Sequence, residues 1–367
     1  MNQNRPIRVA QIMGKFWAGG VETVVFNYYR KLDHSKIQFD FYYDADSTVE
    51  PPQDLIEMGA YFYKIPPYQK LYKYLKILKK HFREKRYTIV CSHINTLSVF
   101  PLYIAWLENI PVRIAHNHSV PGGNEIKRNI LKYILRGVSK IFPTDYFACS
   151  EKAGRWMFGD RIYAAGQVNI IRNAIDFEKF KLPKKEINYY KRNLGLENKF
   201  VVGHIGRFTY AKNHAFLIAV FSAICKVRKD ATLLLVGDGE LHDDIISEIK
   251  ARNLENRTIL IGMVSNPEKY YALADVIVLP SIFEGLSLTT VESQAAGVPI
   301  VISEAIPKEA IISNGCIYES LAASPEKWAI TAINAAKLNV CLNKRSEEYD
   351  INRQAIKMQS WYLAHSR

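Results

Sequence analysis

The chain has 367 residues, 48% of them apolar and 23% charged, with 15 Pro and 19 Gly. That composition excludes disordered and collagen-like chains and suits a globular protein of two domains. Residues 1–180 hold 26 Lys and Arg against 16 Asp and Glu, so most of the formal +13 charge lies in the first half; the bias suits an anionic partner without choosing among nucleic acid, a phosphorylated substrate and an acidic membrane. The five cysteines, Cys91, Cys149, Cys225, Cys316 and Cys341, are far apart and never spaced CxxC, which speaks against a disulfide framework or a zinc site and for a reducing compartment.

Met1 to Arg8 carries no apolar signal core, and the stretch Ser92 to Leu107, interrupted by Pro101, is shorter than the roughly 20 residues of a bilayer span. An integral membrane protein is not expected. Strands are predicted at Ile7 to Ile12, Ile37 to Tyr42, Thr88 to Cys91, Val112 to Ala115 and Tyr146 to Cys149, then at Val201 to Ile205, Thr232 to Val236, Thr258 to Ile261, Val276 to Leu279 and Ile300 to Ile302. Helical patterns alternate with them, as in parallel sheets covered by helices. The spacing predicts two doubly wound Rossmann-like domains facing across a cleft, 1–175 and 176–367, with ligands at the carboxyl ends of the strands. An amphipathic segment, Glu347 to Leu363, predicts a terminal helix that packs on its own domain or crosses back to the first.

In the first half, Gly14, Gly19 and Gly20 follow the opening strand without GxGxxG spacing; they let a backbone approach a ligand closely or merely ease a turn. His93, His116 and His118 end strands and suit contacts to a sugar hydroxyl or phosphate, although a lone histidine is more often structural. Tyr68 to Tyr87 places Leu71, Tyr74, Leu75, Leu78 and Phe82 at helical spacing, with Lys70, Lys73, Lys76, Lys79, Lys80 and Arg83 on other faces. The stripe packs on the sheet, and the cationic face suits an anionic bilayer.

In the second half, GRFTYAKN places Arg207 and Lys212 beside a helix start, where cations are unfavourable unless an anion is bound. Two such cations suit a diphosphate. PSIFEGLSLTTVESQAAGVP then carries Glu284 and Glu292, either solvated charges or sugar-binding carboxylates, and Gly285, Leu286 and Ser287 would offer backbone N–H groups to a phosphate at a helix N-terminus. The GDG turn at Gly237 to Gly239 is most simply a strand-to-helix turn.

With HNHS at His116 to Ser119, NAID at Asn173 to Asp176 and LLLVGDGE at Leu233 to Glu240, these motifs resemble the retaining family 4 glycosyltransferases of the two-Rossmann GT-B type, over most of the chain. A looser match after Pro299 resembles a bacterial subgroup that builds surface polysaccharides. The resemblance implies that Arg207 and Lys212 hold the donor's diphosphate with the amides of Gly285, Leu286 and Ser287, that Glu292 binds the nucleotide ribose, and that Glu284 contacts hydroxyls of the transferred sugar. Its pocket histidine falls on His116 or His118; the following Ser119 favours His118. The family's EGFG stands here as Glu284-Gly285-Leu286-Ser287, which changes the pocket over the sugar. The expected reaction is metal-independent transfer of a hexose from a nucleotide diphosphate sugar, a UDP-sugar by preference, to a lipid-linked or saccharide hydroxyl, in exopolysaccharide or capsule synthesis, by a cytoplasmic enzyme held peripherally at the inner face of the plasma membrane. A sugar-nucleotide epimerase of the same fold would differ in its products. A basic nucleic-acid-binding protein would bind in a salt-sensitive way, and no nucleic-acid motif accompanies the charge.

Overall fold

A computed structural model describes residues 5–17, 19–119, 126–264 and 266–366. The chain divides into two compact units, Met1–Ile175 together with Glu348–Arg367, and Asp176–Glu347. The 176–367 span therefore ends early.

The first unit holds seven strands: β1 (Ile7–Gly14), β2 (Ile37–Asp44), β3 (Tyr61–Ile65), β4 (Ile89–Ser92), β5 (Val112–Asn117), β6 (Asp145–Ala148) and β7 (Val168–Ile170). They pair in parallel in the order β3-β2-β1-β4-β5-β6-β7. The second unit holds β8 (Phe200–Ile205), β9 (Ala231–Val236), β10 (Thr258–Gly262), β11 (Val276–Leu279), β12 (Ile300–Ser303) and β13 (Cys316–Glu319), again all parallel, in the order β10-β9-β8-β11-β12-β13. Each sheet thus reverses direction once, between β1 and β4 and between β8 and β11, and a doubly wound sheet takes its ligands beyond the carboxyl ends at such a reversal.

Central strands are apolar runs because helices cover both faces. All residues of β8, β9 and β11 are buried, and Trp328, fully buried against this core, donates its indole N–H to Ser320 O at 2.8 Å. β3, β7 and β13, which lie outside the predicted strands, are three of the four sheet edges, β10 being the fourth, and contain half-buried or exposed positions.

The closing helix, Ile351–His365, packs on the first sheet. Tyr362 meets Phe39 edge-on at 5.8 Å, Trp361 meets Phe147 at 4.8 Å, and Gln359 accepts a hydrogen bond from Asp33 N at 2.7 Å. The helix Leu71–Lys85 buries Tyr74, Leu78 and Phe82 and exposes Lys73, Lys76, Lys79, Lys80 and Arg83, and Lys70, its N-cap, is exposed as well. Leu71 leaves the expected stripe and is exposed, because the helix starts there, at the end of a short turn. Among the described residues no helix is long and apolar enough to cross a membrane.

At the end of β9, Gly237 adopts φ +137°, and a Cβ there would run into the carbonyl of Gly206. The GDG turn is therefore more than a connection: it presses against the segment that leads to Arg207 and Lys212. Gly237→Ala is expected to lower stability by more than about 1 kcal/mol, whereas Gly137→Ala, with nothing within 4 Å, is expected to be neutral or stabilising. Urea midpoints of the two variants test this.

Candidate active site

In the second unit, the loop after β8 turns through Tyr210–Lys212, and Asn213, at φ +57°, opens the helix His214–Val227. Lys212 Nζ donates to Glu284 Oε1 at 2.5 Å, with both side chains largely shielded. Ser281 Oγ donates to the same oxygen at 3.1 Å. Two further bonds join the β8 and β11 ends: Ile282 N to Ala211 O at 2.8 Å and Thr289 Oγ1 to Ile205 O at 3.0 Å. Ser303 Oγ donates to Ser281 O at 2.5 Å and ties in β12. Lys212, Glu284 and the start of the next helix are thereby brought to the β8/β11 reversal.

That helix is Leu288–Ala295, with Ser287 as its N-cap, Oγ accepting from Thr290 N at 3.3 Å. Gly285, Leu286 and Ser287 consequently precede its first turn, and Leu286 and Ser287 are buried. The helix N-terminus expected at these three residues lies further on: a capping serine occupies the N3 amide and leaves the first-turn amides of Leu288 and Thr289 facing the helix start.

Glu292 lies in the interior of this helix and is half-buried. Its Oε2 accepts from Tyr271 OH at 2.6 Å, and burial raises its pKa against the stabilising Tyr271 bond and the charge of Lys212. Neither Glu284 nor Glu292 is a solvated surface charge. Arg207 differs from Lys212: its side chain is 54% exposed and its guanidinium lies 3.5 Å from Glu240. The loop delivers its two cations to different neighbours, Glu240 after β9 and Glu284 after β11.

In the first unit, Gly19 is the N-cap of the helix Gly20–Arg30, without a side-chain cap bond. The buried carboxylate of Glu22 folds back over this start and accepts from Trp17 N at 2.8 Å, so the helix end already faces an anion. His93, His116 and His118 gather at the carboxyl ends of β4 and β5, all buried. The rings of His116 and His118 lie 3.9 Å apart, His93 Nδ1 meets His118 Nε2 at 2.9 Å, and His93 Nε2 meets Gln11 Oε1 at 2.7 Å. Burial drives all three toward the neutral form; the His118 pKa falls to about 3, and the neighbouring rings lower His93 and His116 further.

Ligand atoms of Cys91, His93 and His116 lie within 4.8 Å of one another. A metal ion there would have to displace one of the two hydrogen bonds of His93 and ionise a thiol whose pKa burial has raised. Gln11 and Tyr271 were absent from the sequence reading. Gln11 leaves a signal, as an uncharged polar residue inside an otherwise apolar run; Tyr271 leaves none, because a buried tyrosine resembles any other core aromatic.

The family described as glycosyl transferases group 1 matches residues 187–341, and Glycosyltransferase Family 4 matches residues 18–179. The chain is a family 4 glycosyltransferase of the GT-B type. It is 29% identical over 336 residues to the putative glycosyltransferase EpsF of Bacillus subtilis (strain 168), covering 90% of this chain and 88% of that one. It is 26% identical to the UDP-Gal:alpha-D-GlcNAc-diphosphoundecaprenol alpha-1,3-galactosyltransferase of Escherichia coli, covering 79% of each. Its fold matches Anabaena HepE, solved with UDP-glucose, with a TM-score of 0.78 at 18% identity over 97% of this chain and 100% of that one.

For the family 4 enzyme the neutral histidines set a pH dependence of stability. Their folded pKa values lie below the ordinary value of about 6.5, so the unfolded chain binds more protons in the window between. The contribution is complete above about pH 6.5 and is lost as pH falls toward 3, by about 1 kcal/mol per pH unit for each buried ring. Urea unfolding is expected to show lower stability at pH 5.5 than at pH 7.5, and a flat profile would contradict neutral burial.

Proposed function

We propose that the enzyme transfers a hexose from a nucleotide diphosphate sugar, with UDP as the nucleotide, to a hydroxyl of a lipid-linked saccharide, with retention at the anomeric carbon, during capsule or exopolysaccharide synthesis. The observation that carries this reading is Lys212 held at 2.5 Å on Glu284 beside the start of the Leu288–Ala295 helix. The donor and diphospholipid acceptor in the name of the E. coli relative support the substrate classes.

As the bond from the anomeric carbon to the leaving oxygen breaks, its electron pair passes to the diphosphate. Lys212 and the helix start face the growing negative charge and stabilise it more in the transition state than in the bound donor. Arg207, on its exposed arm, closes on the outer phosphate. Glu284 takes hydroxyls of the transferred sugar and Glu292 those of the ribose. Gly19 and Gly20 offer a backbone edge to the donor. His118, neutral through burial, hydrogen-bonds a sugar hydroxyl.

The acceptor oxygen attacks from the leaving-group face, and its proton passes to the departing phosphate. This route requires no nucleophilic side chain. With the diphosphate charge met by side chains and amides, no divalent ion takes part.

Lys212→Ala is expected to lower kcat at saturating donor by about 10²- to 10³-fold, UDP is expected to raise the melting temperature more than other nucleotides, and EDTA is expected to leave turnover unchanged. Undiminished turnover in Lys212→Ala would overturn the assignment.

A lipid-linked acceptor places the enzyme at the inner face of the plasma membrane. The exposed cations of the Leu71–Lys85 helix suit that surface, each adding roughly 1 kcal/mol near anionic lipid. Sedimentation is expected to show binding to anionic but not zwitterionic vesicles, and reversal of Lys73, Lys76 and Lys80 to Glu is expected to abolish it.

A further inference from the structure

We propose that Gln11 and His93 are positioning residues that fix His118 in the tautomer protonated at Nε2, leaving Nδ1 as a hydrogen-bond acceptor. The proposal rests on the role given to His118 above and names the groups that prepare it.

The relay begins at the closing helix. Gln11 Nε2 donates to the Tyr362 hydroxyl oxygen at 3.4 Å. With its amide nitrogen engaged there, Gln11 turns Oε1, which can only accept, toward His93 Nε2 at 2.7 Å. That nitrogen must therefore carry a proton. A neutral ring holds one proton, so His93 Nδ1 is bare and accepts from His118 Nε2 at 2.9 Å. His118 Nδ1 is then unprotonated.

The surroundings hold the ring in this pose. His118 N donates to Asn95 Oδ1 at 2.9 Å, and His118 O accepts from Cys149 Sγ at 3.3 Å. Nδ1 is buried and has no hydrogen-bond partner among the described residues. A buried acceptor without a donor is costly unless a ligand supplies one, and a sugar hydroxyl is a donor of the right kind. His116 is placed differently. Both of its ring nitrogens lack partners among the described residues, so no described hydrogen bond selects its tautomer. This distinguishes His118 as the prepared ring.

The relay also uses the sheet order. Gln11 lies on β1 and His93 directly follows β4, so their bond spans the strand reversal of the first unit.

The test is long-range proton–nitrogen NMR on the full chain labelled with 15N-histidine, with the His118 signals identified by their loss in His118→Gln. The expected spectrum has the His118 proton on Nε2. Gln11→Leu is expected to yield a mixture of tautomers and to lower kcat by about tenfold, the scale of one neutral hydrogen bond. Gln11→Glu, whose carboxylate still accepts from His93, is expected to retain the tautomer and recover kcat to within about twofold. A proton on Nδ1 in the natural protein, or a reversed tautomer in Gln11→Glu, overturns the proposal, and the latter variant decides the matter if Gln11→Leu fails to fold. Because the spectra are recorded without substrate, an Nε2 proton in a protein lacking transferase activity would overturn the proposed function and leave the relay standing.

Discussion

Parallel pairing is the constraint on which the rest depends: it sends the carboxyl ends of all strands in a sheet to one edge, and the strand order then opens a gap where successive crossovers diverge. The same reversal occurs in both units. In the second, the loops after β8 and β11 meet through Lys212 and Glu284. In the first, β1 and the segment after β4 meet through Gln11 and His93. Polar side chains concentrate at these places because the surrounding strands leave them no other dry edge to occupy.

The two edges are chemically unlike. The Lys212–Glu284 pair is shielded from water, and a pair of this kind stabilises a fold little because desolvation offsets its attraction. Its effect is positional: it holds a long, flexible ammonium in one rotamer before a ligand arrives. The first unit instead gathers rings that burial keeps uncharged. One edge suits negative charge that grows during bond cleavage, and the other suits hydroxyl groups.

Periodicity exposed the central strands but not β3, β7 and β13. Central strands are covered on both faces and announce themselves as apolar runs, whereas an edge strand shares its surface with water and can interrupt the run, as YFYKI does at β3; the edge strand β10, TILIG, was legible because its run stays apolar. The candidate carboxylates and Lys212 were legible because charges in a small-residue, apolar stretch are conspicuous. Their partners were not. Nothing local pairs Lys212 with Glu284 across 72 residues, or Tyr271 with Glu292, since those meetings are made by the sheet order. The helix start after Glu284 was displaced for a simpler reason: Ser287 can be a first-turn residue or a cap, and only the bond from Thr290 N shows which.

The closing helix, Ile351–His365, has a consequence for how the molecule is made. Since Glu348–Arg367 completes the unit begun at the N-terminus, the second unit is an insertion within the first. On the ribosome the inserted part can finish before the part that encloses it. The first unit, though synthesised earliest, lacks Tyr362 and its contacts with Phe39 and Gln11 until Glu348–Arg367 has emerged, so the older half waits incomplete while the younger half is already whole.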